Sequence, residues 1–64
     1  MKLNRNKFDI VRAQKCMRSK DIIDAGFSHG TLCTLLNGRN STPYTLGKLA
    51  HILGVDVLEI VDLD

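Results

Sequence analysis

The side chains able to do chemistry are few: Cys16, Cys33, His29 and His51, and a run of hydroxyls at Ser28, Thr31 and Thr34 that leads into Asn37, Arg39 and Asn40. Two thiols and two imidazoles have the atom types of a zinc site. Their spacing forms no Cys-x2-Cys or His-x3-His signature, so neither a metal nor any other cofactor is expected. Ser28 beside His29 is not a dyad, because adjacent residues point apart on a helix. No nucleophile elbow, phosphate loop or carboxylate pair occurs, and a chain this short has little room for a pocket, so no enzymatic activity is expected. What remains is recognition by hydrogen bonds. Ser and Thr hydroxyls both donate and accept, and a Thr methyl offers an apolar contact.

These residues need two short helices to hold them. Ile22, Ile23 and Ala25 give the apolar side of a helix over about 19–24, with Ser19 as its cap and Asp21 in its first turn. Gly26 stops it, Phe27 plugs the turn, and Ser28 caps a second helix that runs to about Leu36 or Asn37. Leu32, Leu35 and Leu36 form that helix's inner side, with small polar residues outside. This is the pattern of a helix-turn-helix. Around it, Phe8 and Val11 predict a first helix over about 6–16, capped by Asn6. Thr45 to Leu53 predicts a fourth helix burying Leu46, Leu49, Ala50 and Leu53. Val55 to Val61 is β-branched, yet its spacing of three and four after Gly54 predicts a short fifth helix. The expected fold is therefore all-α, a compact bundle of five short helices in a single domain over residues 1–64, its core at about 6–61.

With 64 residues there is room for one core only. Both cysteines are expected to be reduced, small buried hydrophobes. The start, Met1-Lys-Leu-Asn-Arg-Asn-Lys7, is polar and basic with no apolar run behind it, which predicts a cytoplasmic chain without an export signal. No stretch is long and apolar enough for a membrane span. Charge is unevenly placed. Residues 1–55 hold all nine Lys and Arg against three Asp, a balance of +6; residues 56–64 hold four acids and no base, a balance of −4. A basic body favours a polyanion, since each neutralised phosphate releases counterions.

The order of these features resembles the lambda-repressor-like DNA-binding domain of the Cro and phage-repressor family. The resemblance covers roughly residues 8–60. It rests on Phe8, Val11 and Arg12; on Gly26-Phe-Ser and Thr31-Leu32; on Asn37-Gly38-Arg39 followed by Pro43; and on Thr45-Leu46, Leu49-Ala50 and Leu53-Gly54-Val55. It implies a transcriptional regulator, expected to be a repressor, that binds double-stranded DNA with the helix over about 28–37 in the major groove. Ser28, His29, Gly30, Thr31 and Thr34 would meet base edges, and Arg18, Ser19, Asn37, Arg39 and Asn40 would meet phosphate. Lys2, Arg5 and Lys7 form either a basic arm or a frayed terminus. Such domains act as homodimers on two half-sites, which implies an interface at Val57, Ile60, Val61 and Leu63; alternatively that segment covers the monomer core. No small-molecule effector is evident.

The chain departs from the family pattern in three places. Arg18 and Ser19 stand where the family has Gln at the start of helix 2. Ile22 stands where it has Ala, and helix 2 reads as one residue short. Leu36 replaces a Glu that would pair with the helix 1 Arg, so Arg12 is left without an evident partner. The sparse base-reading set keeps a second reading open, an antitoxin or adaptor that uses this fold to bind protein.

Overall fold

The computed structural model describes residues 1–62 and consists of four α-helices, one 3-10 turn and a two-stranded antiparallel sheet. In chain order these are β1 (Lys2–Leu3), α1 (Arg5–Lys15), α2 (Ser19–Asp24), α3 (His29–Leu36), α4 (Pro43–Leu53), the 3-10 turn (Val57–Glu59) and β2 (Val61–Asp62). The all-α, five-helix expectation is corrected on both counts. The segment after Gly54 makes one 3-10 turn and then extends. Lys2 pairs with Asp62 and Leu3 with Val61, so strand β1 gives the extended backbone its hydrogen-bond partners. A fifth helix would leave the β1 backbone unpaired and turn Val61 off the core.

Local chemistry sets the helix ends. Asn4 caps α1 by accepting from the Lys7 N–H at 3.0 Å, two residues ahead of the expected Asn6. The Asp21 carboxylate accepts from the Arg18 N–H at 2.8 Å, so α2 is capped from inside its first turn, with Arg18 rather than Ser19 at the cap position. Ser28 caps α3 as expected, accepting from the Thr31 N–H at 3.4 Å. Helix α4 starts earlier than Thr45. Thr42 accepts from the Thr45 N–H at 3.3 Å, and Pro43 takes the first helical position, where no N–H is needed. Gly26 has φ +107°, in a conformation that L side chains rarely adopt, and this lets the chain reverse between α2 and α3.

One apolar cluster holds the elements together. Phe8, Ile22, Leu46, Leu49 and Ile60 are completely buried, with Leu32, Leu35, Leu53 and Val61 close to it. Leu3 joins the cluster at 6 % exposure, so the core begins before residue 6. The N-terminus is tied down rather than frayed. The Asn4 N–H donates to the Ile60 carbonyl at 2.8 Å, and the Asn4 amide donates to an Asp62 carboxylate oxygen at 2.8 Å. Asp62 of the acidic segment therefore lies against the basic start of the chain.

Ile60 and Val61, expected at a dimer interface, are core residues of the single chain, and Val57 is half-buried against that core. Leu63, the fourth residue of that expected interface, lies outside the described residues. Arg12 is not unpartnered: its guanidinium bonds Asp9 at 2.8 Å and its carbon Cζ sits 5.1 Å from the centre of the Phe8 ring. The partner comes from one turn away on α1 itself. Cys16 and Cys33 are free and exposed, not buried. Cys16 ends α1 with φ +54°, in the left-handed conformation of a helix C-terminal cap.

Candidate nucleic-acid interface

The two helices of the motif present a polar edge around the start of α3. Ser28, His29, Gly30 and Thr34 are exposed, and Thr31 is half-buried beneath them. The α3 helix carries no carboxylate, so nothing on it repels an anion. The Ser28 oxygen accepts from the Thr31 N–H, which leaves its hydroxyl proton free to donate outward. Thr34 is committed differently. Its hydroxyl donates to the Gly30 carbonyl at 3.0 Å, so toward a ligand it can only accept, while its methyl remains available. The Cys33 sulfur lies 3.9 Å from both ring nitrogens of His29, one turn back on the same face.

The charged flanks are less uniform than the sequence suggests. Arg18 is exposed and shares its guanidinium with Asp21 at 3.6 Å, a surface contact that costs little to break. The same Asp21 carboxyl is held below its ordinary pKa, chiefly because the Arg18 N–H donates to it, with the Arg18 charge adding to the effect. Asn37 ends α3 as its C-terminal cap. Arg39 and Asn40 follow in the exposed connection to α4, and Arg39 makes no ion pair among the described residues. Lys7 is drawn toward the C-terminal strand, its ammonium 3.5 Å from the Val61 carbonyl. Lys2 lies in β1, and Arg5 is exposed at the start of α1. These three cations sit on ordered elements, not on a loose arm.

Two surface features were not foreseen. A groove of about 360 Å³ runs between α2 and α3, lined by Ser19, Lys20, Ile23, His29, Leu32, Cys33 and Leu36. The signal for it was present in the doublets Ile22-Ile23 and Leu35-Leu36. A short helix turns only one of two adjacent residues fully inward. Ile22 and Leu35 take the core, and Ile23 and Leu36 are left half-exposed along the groove. A second hollow of about 130 Å³ brings Tyr44, Thr45 and Lys48 of α4 beside Ser28 and Thr31. Tyr44 is 79 % exposed, and Lys48 adds a cation next to the leading edge of α3. Tyr44 and Lys48 carry no sequence signal of this placement, because exposed polar residues on the outer side of a helix are ordinary.

Among the described residues no helix is long and apolar enough to cross a membrane, and no group of three or more His, Cys, Asp or Glu gathers to hold a metal ion. Searches against family models, curated proteins and solved structures gave no match. Over the described residues the chain's own geometry is that of a small four-helix domain closed by a terminal β-pair.

Proposed function

We propose that this chain is a sequence-specific double-stranded DNA-binding regulator, with α3 entering the major groove. The observation that carries the reading is the exposed, carboxylate-free edge of Ser28, His29, Gly30 and Thr34, with Lys48 beside Ser28 and with Arg18 and Arg39 exposed just before α2 and just after α3. A helix N-terminus with free donors suits phosphate, and short polar side chains let the backbone approach base edges closely. Ser28 as donor, Thr34 as acceptor and His29 as either supply direct readout without a bidentate contact. Discrimination between sequences is therefore modest per half-site, and two copies on paired half-sites supply the rest. Any symmetric contact between those copies has to use a face other than Ile60 and Val61. Selection of bound fragments from random duplex DNA tests the proposal. Enrichment of a defined half-site supports it, and recovery of unrelated sequences only, at every round, refutes it.

A second reading is favoured by one observation, the apolar groove beside His29. Ile23, Leu32 and Leu36 there suit a protein side chain better than a phosphate backbone. An adaptor or antitoxin would use this groove and would not need a DNA half-site.

A further inference from the structure

We propose that the α2–α3 groove receives the 3-10 turn of a second copy of this chain, so that copies associate head to tail when DNA is absent. The groove offers an apolar floor of Ile23, Leu32 and Leu36, with Lys20 and His29 among its lining and no carboxylate. The chain also carries a matching projection. Leu58 is 52 % exposed, and Asp56 and Glu59 on either side of it are exposed as well. Among the other exposed large hydrophobics, Met1, Ile10 and Tyr44, none lies between two carboxylates in this way. Shape and charge therefore agree: an aliphatic side chain enters an aliphatic groove, and acids meet a Lys. Within one chain the two features do not meet, because the 3-10 turn packs mainly on α4 and α1. The contact is therefore between copies.

A projection and a groove at different places on one molecule make a heterologous contact, which leaves one of each unfilled in a dimer. Association then continues past the dimer. This accounts together for three features that the DNA reading leaves idle: the groove, the exposed Leu58 and the exposed pair Asp56 and Glu59. Ser19 and His29 belong both to the groove and to the proposed DNA face, so an occupied groove competes with DNA. That competition rests on the proposed function; the association does not.

Sedimentation velocity of the full chain at low salt and without DNA tests the association. The expected result is a weight-average mass that rises with concentration beyond that of a dimer. Leu58→Glu should hold the chain monomeric; its melting curve checks that the fold is kept, and Leu58→Ser serves if it is not. Lys20→Glu and Asp56→Lys should each weaken association by about three- to fivefold, the size of a rim ion pair, and should restore it when combined. Asp56 stands at the cap position of the 3-10 turn, so the melting curve of Asp56→Lys is measured as well, and Asp56→Asn, which keeps a capping side chain, should weaken association in the same direction. A strict monomer at every concentration overturns the proposal, and so does a dimer indifferent to Leu58 and Lys20. Neither result touches DNA binding, which is measured separately.

Discussion

Replacing Leu3 by Ala asks whether the N-terminus belongs to the fold. Leu3 is 6 % exposed, pairs with Val61 across the sheet and joins the main apolar cluster. The change removes three carbons. At about 0.8 kcal/mol for each buried carbon, the transfer loss is about 2.4 kcal/mol. The cavity penalty adds little, because a site at the rim of the core can collapse, so the expected cost is about 2.5–3 kcal/mol. A domain of this size holds roughly 3–10 kcal/mol in total, so the substitution removes a large share of it. Urea unfolding followed by circular dichroism measures the loss. The midpoint should fall while the slope stays constant. Met1→Ala is the control, since Met1 is 41 % exposed and its loss should cost under about 0.5 kcal/mol. A Leu3→Ala cost as small as the control's would mean that β1 is not anchored and that the terminus is a free arm.

Arg12→Met keeps the packing of the stem over Phe8 but removes the pair with Asp9; it should cost about 1 kcal/mol or less in urea unfolding, with Asp9→Asn costing no more. Asp21 has a folded-state pKa below its unfolded value, so its contribution is present above the unfolded pKa and disappears as pH falls through the folded one. Thermal melts between pH 5 and pH 2 should therefore fall less steeply for Asp21→Asn than for the parent chain. For DNA binding, Arg39→Ala should weaken all duplex sequences alike and reduce the salt slope by about one, whereas His29→Ala and Thr34→Ala should change the preferred sequence. Competition assays against a panel of half-sites separate those two outcomes.

The parts of the fold legible in the sequence were those set by short-range rules. Gly26, Ser28 and the Leu32/Leu35 pair locate the turn and α3 because the needs for positive φ, a cap and an inner face all coincide there. The end of the chain was misread for a long-range reason. Val55 to Val61 fits helical spacing, but the helix stops after one 3-10 turn, and pairing with Lys2–Leu3, nearly the whole chain away, extends the backbone from Val61. The same holds for Leu3, since nothing local marks a lone Leu among basic and amide residues as core. Arg12 pairs with Asp9 in its own helix at a spacing of three, a local rule that the sequence already carries. The candidate site shows the same division. The polar edge of α3 follows from residue types, whereas Tyr44 and Lys48 reach Ser28 only through the packing of α4 against the motif.

The dependence of duplex-DNA affinity on salt tests the central claim most directly, because phosphate contact through the basic flanks has to release counterions. On the proposed reading Arg18, Arg39 and Lys48 would make three contacts, so log K should fall against log salt with a slope of about −3. A measurable affinity with that slope is the predicted result. No binding to any duplex at low salt, or binding that ignores salt, contradicts it.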